Sequence, residues 1–227
     1  GADIRPPSSP GLGDTRIGLV DEAMDAADPA VRRTVEAAIA DLEAAGASVR
    51  HVSIEAFPDA VRILEGITGP EFAHLVLANG QSYGTGTGYS EAFRRAVAAA
   101  RESGGFGPNT REHLLVNLAI VRSNGGESYV TAQHARREFA DAVSAVLRDV
   151  DALLTPTTPM TAPPFDTLQT RAEMRRVASN TAPFNLTGGP AISVPRQTAE
   201  GKPIGVQIAG SWHSERRLAR IATVLEP

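Results

Sequence analysis

Apolar and polar residues along this chain follow two rhythms that predict different elements. RIGLV (residues 16–20) is a short, nearly continuous apolar run, the pattern of a buried strand. Asp28-Pro29 then opens a helix in the favoured way, as N-cap and first helical residue. Val31, Val35, Ile39 and Leu42 follow along one stripe of that helix. Gly46 ends it, and SVRHVSI (48–54) predicts a second strand. A strand, a helix and a strand in this order predict a parallel return with a right-handed crossover.

From about residue 56 to 148 the pattern is mostly helical, with helices predicted over 69–79, 91–102, 110–123 and 127–147. SYGTGTGYS (82–90) and ESGGFGPN (102–109) are the loops between them. DALLTP (151–156) reads as a strand stopped by proline, followed by a Pro/Thr loop and a helix near 169–181. NTAPFNLTGGP (180–190) reads as a loop feeding AISVP (191–195), whose apolar character predicts a core strand covered on both faces. PIGVQIAG (203–210) predicts its neighbour, joined by the turn RQTAEGK, and SERRLARIATVL (214–225) predicts a helix capped by Ser214. Residues 1–14, rich in Pro, Gly and Ser, read as a linker or arm, and 15–227 as one portion of a single domain. The class is α/β, a mixed central sheet covered by helices.

Composition narrows the chemistry. A net charge of -4 gives no electrostatic footprint for nucleic acid or an anionic membrane, and no apolar run predicts a membrane span. The absence of cysteine excludes thiolate nucleophiles, disulfides and cysteine-based zinc sites, and fits a reducing, cytoplasmic setting. GTGTG (84–88) lacks the lysine and hydroxyl of a phosphate loop, and the five histidines form no paired ligand motif. No G-x-S-x-G elbow occurs. The arginine pairs at 32–33, 94–95, 136–137, 175–176 and 216–217 read as solvated helix faces. Lys202 is the single lysine, set in a turn between Gly201 and Pro203, where a solvated ammonium is a poor base at neutral pH.

Two blocks rise above this background: DALLTPTTP (151–159) with APPF, and TAPFNLTGGPAISVP (181–195) followed by EGKPIGVQIAG and SERRLARIA. In this order they resemble the C-terminal part of the amidase signature family, serine hydrolases of carboxamides. RIGLV with DPAVRRTVEAAIADLEAAGASVRHVSI fits the same family, so the resemblance runs from Arg16 onward. It implies amide cleavage through an acyl-enzyme to carboxylate plus ammonia or amine, without metal or cofactor. The family's Ser–cis-Ser–Lys triad lies in and before a GGSSGGS-type stretch that precedes the matched part, and no such stretch occurs in these 227 residues. No catalytic residue is therefore assigned within the chain, and the isolated segment is expected to be inactive.

The resemblance places Thr155, Thr157, Thr158, Phe165, Phe184, Asn185, Thr187 and Gly188 as candidates for the wall of a substrate pocket. It implies a small-molecule amide as ligand, and the missing N-terminal amidase portion or another chain, including a second copy of this one, as partner. Where the family uses glutamine, an acidic residue before the second block holds the substrate's charged ends. Here MRRVASN (174–180) offers Arg175 and Arg176 but no acid, which points to a less polar amide. Three readings stand: a segment of an amide hydrolase, a non-catalytic binding or scaffold protein built on the same fold, and part of a glutamine amidotransferase subunit.

Overall fold

The computed structural model describes residues 11–78, 91–164, 167, 170–198 and 200–226. The expected arm up to residue 10, the GTGTG loop and Phe165 lie outside the described residues. The chain divides into two compact units, residues 62–135 and the remainder on either side.

The larger unit is built on a five-stranded mixed sheet in the order β2-β1-β3-β5-β4. β1 (Arg16–Val20) is followed by the short α1 (Asp21–Asp25) and by α2 (Pro29–Ala44), and β2 (Ser48–Val52) returns parallel to β1 as predicted. α2 starts with proline behind Asp28 and ends before Gly46, at φ 98. Its buried stripe is Val31, Val35, Ala38 and Leu42. A single turn at Phe57–Asp59 precedes α3 (Ala60–Leu77); α4 (Glu91–Ser103), α5 (Pro108–Asn124) and α6 (Glu127–Val146) follow. β3 (Ala152–Pro156) pairs parallel with β1, buried along its whole length at the centre of the sheet. β5 (Pro203–Ala209) runs antiparallel to both β3 and β4 (Ala191–Gln197). α7 (Arg171–Ala178) and α8 (Ala182–Thr187) fill the connection before β4, and α9 (Glu215–Leu225) closes the chain.

Alternation along the strands separates two faces. Ile17, Leu19, Leu154, Val206 and Ile208 meet Val35 and Leu42 of α2 and Leu218, Ile221 and Leu225 of α9 in one apolar core. Each such leucine or isoleucine side chain contributes about 2–3 kcal/mol by leaving water. On the other face Gly18 leaves room for Val52 and Leu153. Asp151, just before β3, accepts from the Arg16 backbone N–H at 2.9 Å and pairs with Arg217 at 3.3 Å, tying β1 and α9 to the start of the central strand.

The helical unit, residues 62–135, has its own core of Ala73, Val76 and Leu114, flanked by Phe72, Val97, Phe106 and Leu118. The Tyr129 hydroxyl donates to Glu71 at 2.9 Å and Gln133 donates to the Tyr129 oxygen at 3.0 Å.

Four local expectations change. The helix predicted from residue 69 starts at Ala60 and carries Pro70 inside it; a proline normally marks a helix start, which hides the helical turns before it. NTAPFNLTGGP is not a loop. Pro183 in its first turn and left-handed Gly188 (φ 70) at its end frame α8, the start-with-proline, stop-with-glycine arrangement. AISVP is not covered on both faces: among the described residues β4 stands at the end of the sheet and buries only alternate positions, with Ser193 exposed and Val194 buried. Pro195, which lacks a ladder donor, fits an edge. Ser214 holds the N-cap position of α9, but its hydroxyl makes no capping bond.

Candidate functional site

The end of β3 carries the first block of candidate residues out of the core. Thr155 is fully buried, and its hydroxyl accepts from Gln207 Nε2 at 3.0 Å. The same Gln207 amide donates to the Asn180 backbone oxygen at 2.8 Å, and Asn180 Nδ2 donates to the Pro156 oxygen at 2.9 Å. All three side chains are nearly or wholly buried, so the link between β3, β5 and the end of α7 is a satisfied polar network inside an apolar surround. It fixes where the chain emerges after Pro156.

Thr157 continues the pairing, its N–H donating to the Gly205 oxygen at 2.8 Å, while its hydroxyl meets Ser193 Oγ at 2.6 Å. Gly205 lies beneath this pair, and a Cβ there would collide with both hydroxyl oxygens. The Pro/Thr loop is held at two further points. Thr158 Oγ1 donates to the Met160 oxygen at 2.8 Å, and the Asp28 N–H donates to the Pro159 oxygen at 2.7 Å. The Asp28 carboxylate in turn accepts from Arg176 at 2.6 Å, so Asp28 ties the loop and α7 to the start of α2.

These constraints enclose a cavity of about 450 Å³, within the usual range for small-molecule sites. Thr157, Thr158 and Ser193 supply hydroxyls, and Met160, Val177 and Ile204 supply apolar wall. No ionisable side chain is among its described lining residues. Its chemistry is that of a neutral pocket able to donate and accept hydrogen bonds.

The second block sits elsewhere. Phe184 is buried edge-on against Phe57, with ring centroids 6.3 Å apart, and Asn185 is exposed on α8 with its amide donating to the Thr181 oxygen at 3.3 Å. Thr187 Oγ1 donates to the Phe184 oxygen at 3.1 Å, while Trp212 Nε1 donates to the Thr187 oxygen at 3.2 Å and its ring covers Gly188. Arg136, read from sequence as part of a solvated face, donates through Nε to the Leu186 oxygen at 2.8 Å. Arg176, from another such pair, is the Asp28 partner. Of the sequence candidates, the structure brings Thr157 and Thr158 together on one cavity, with Thr155 buried against Gln207 and not in its lining, and Phe184, Asn185, Thr187 and Gly188 on or beside α8.

Sequence reasoning does not single out Ser193, Asn180 or Gln207. Gln207 carries a usable signal, being the one polar side chain in the run IGVQIA. Asn180 carries none and Ser193 hints only at a half-exposed strand, because their roles depend on which strands become neighbours.

The family model described as Amidase matches residues 2–219. This chain belongs to the amidase family. The glutamyl-tRNA(Gln) amidotransferase A subunit of Halobacterium salinarum is 34% identical over 212 residues, covering 92% of this chain and 50% of the relative. The protein of the same name from Thermus thermophilus is 34% identical over 214 residues, covering 93% and 45%. Among solved structures, the glutamyl-tRNA(Gln) amidotransferase A subunit of Thermotoga maritima superposes with a TM-score of 0.68 at 25% identity, over 95% of this chain and 42% of that one. A structure described as an amidase shares the fold with a TM-score of 0.74 at 24% identity, over 95% and 46%. This amidase-family chain thus spans about half the length of the curated relatives it matches. Among its described residues no helix is long and apolar enough to cross a membrane, and no group of three or more His, Asp or Glu side chains converges as a metal site.

Proposed function

We propose that these 227 residues supply one wall of the substrate cavity of a carboxamide hydrolase, and that the attacking serine and its base come from polypeptide outside them. The observation that carries this reading is the cavity between the Pro/Thr loop, β4 and β5, with hydroxyls on one side, apolar wall on the other and no charge in its described lining. A carboxamide is neutral, with an N–H donor and a carbonyl acceptor, so paired hydroxyls match it without the cost of burying an ion. Thr157 and Ser193 would orient the amide, and the apolar residues would take up the organic part of the substrate. The reaction would proceed through an acyl-enzyme, releasing ammonia or amine, and water would then release the carboxylate.

The experiment is to measure ammonia release from aryl and alkyl carboxamides by this chain alone and by the full gene product that carries it. The expected result is no turnover by the 227 residues and saturable turnover by the full product, with a raised KM in Ser193→Ala and Thr157→Val. Turnover by the chain alone, abolished by one serine-to-alanine change, would overturn the division of labour. A full product with no amide turnover would favour the non-catalytic scaffold reading.

The names of the curated relatives favour a second reading, a subunit that takes ammonia from glutamine for transfer to Glu-tRNA(Gln). Glutamine brings an ammonium and a carboxylate that both need partners. In MRRVASN (174–180), before α8, Arg176 is already engaged by Asp28 and no acid is present. Competition between glutamine and benzamide separates the two readings: preference for benzamide supports the hydrolase, and preference for glutamine supports the amidotransferase.

A further inference from the structure

A second cavity, of about 590 Å³, sits at the N-terminus of α9 and shares no lining residue with the first. Arg216, Arg217 and Arg220 line it together with His213, Ser214 and Trp212, and no carboxylate is among its described lining residues. In a chain of net charge -4, this is a local concentration of cationic groups. Helix geometry adds to it. The first turn of any α-helix presents amide N–H groups without intrahelical acceptors and carries the positive end of the helix dipole.

Ser214 supplies a second, independent observation. It is 7% exposed, and its Oγ is buried without a hydrogen-bond partner, over Gly210, which has no side chain to compete for the space. A serine at this position ordinarily caps the first turn; this one does not. An orphaned buried hydroxyl is unfavourable unless something satisfies it. The residues around it are held in place. Arg217 is pinned by Asp151 at 3.3 Å, Arg220 Nη2 donates to Thr15 Oγ1 at 3.2 Å, and His213 is fixed in the left-handed region at φ 66. Two acids lie near. Asp151 is shared between Arg16 and Arg217, and Glu215, in the first turn, is not among the lining residues.

We propose that this cavity binds a phosphate-class oxyanion, either free phosphate or the phosphate of a monoester, against the first turn of α9. The Ser214 hydroxyl rotates to donate to it, and the Arg216 guanidinium provides a charge-assisted contact. Trp212, 68% exposed at the rim, offers a flat apolar surface to the organic part of an ester. This site is independent of the amide reading and stands or falls separately.

Trp212 is the chain's single tryptophan, so its fluorescence reports directly on the cavity. The 227-residue chain is titrated with inorganic phosphate and with phenyl phosphate, at ionic strength held constant with sodium chloride. The expected result is a saturable change for at least one of the two. Equal affinities assign free phosphate as the ligand, and tighter phenyl phosphate assigns a monoester. Arg216→Gln is expected to weaken binding about tenfold. Ser214→Ala is expected to weaken it severalfold while leaving urea stability unchanged, which a purely structural serine would not do. Arg33→Gln, a control at an exposed arginine facing Glu200, is expected to leave affinity unchanged. A linear, non-saturating response to both anions overturns the proposal. So does affinity unmoved by Arg216→Gln and Ser214→Ala, or an equal loss in Arg33→Gln.

Discussion

Replacing Gln207 by leucine would remove the buried link between β5 and the segments that carry the first cavity. Gln207 Nε2 makes two hydrogen bonds, to Thr155 Oγ1 at 3.0 Å and to the Asn180 oxygen at 2.8 Å, in residues that are 0% and 1% exposed. Leucine is similar in size but donates nothing, so both acceptors would be left inside the protein without their partner. Each orphaned acceptor costs about 1–3 kcal/mol, and the apolar side chain returns about 1 kcal/mol of burial. The expected net loss is about 1–5 kcal/mol, a large part of the roughly 5–15 kcal/mol that holds a domain together. Equilibrium urea unfolding, followed by circular dichroism and Trp212 fluorescence, measures it. A double-mutant cycle with Thr155→Val tests the cause. Thr155→Val with Gln207→Leu removes donor and acceptor together, so the double variant should be less destabilised than the sum of the singles by about 1 kcal/mol. A Gln207→Leu variant within about 0.5 kcal/mol of the parent, or strict additivity, would refute the view that this network holds the loops.

Other consequences follow from the same geometry. Gly205→Ala puts a methyl group against Ser193 Oγ and Thr157 Oγ1, so the strand or the loop must move; a loss of about 1–3 kcal/mol in urea unfolding is expected. Burial pushes the Asp151 carboxyl up, but the Arg16 N–H, the Arg16 guanidinium and Arg217 together outweigh this and hold it below the ordinary carboxylate range. A depressed folded-state value means that its stabilising contribution is complete above the unfolded-state value, near 4, and is lost as pH falls through the folded one. Unfolding midpoints measured from about pH 6 down to about pH 2 should therefore fall less steeply in Asp151→Asn than in the parent. Among the described residues no strand pairs with the outer edge of β4, so sedimentation velocity should show concentration-dependent self-association. A monodisperse monomer at high concentration would contradict this.

Much of the sheet is legible because its signals are local. RIGLV, DALLTP and PIGVQIAG are strands wherever they sit, and Asp28-Pro29 with Gly46 brackets a helix on backbone grounds alone. The return of β2 parallel to β1 follows from the helix between them. α8 escapes a sequence reading for a local reason as well, since its proline and glycines resemble loop signals although they mark the two ends of a short helix. β4 escapes it for a non-local one. Whether an apolar run is central or at an edge depends on what pairs beyond it, and Ser193 in its middle is the one hint of a half-exposed strand.

The sequence by itself determined the class of the fold, the position of most elements and, through its ordered blocks, membership of the amidase family. Those properties rest on residue periodicity, turn chemistry and motif order, which act over a few positions at a time. Only the tertiary structure decided that Thr157 meets Ser193 over Gly205, that Gln207 satisfies Thr155 and Asn180, and that Ser214 is left without a partner beside the arginines of α9. Each of these depends on strand register or on the path of a connection. A hydroxyl or amide looks the same in sequence whether it faces water, a partner or a cavity, and only the folded chain selects among them.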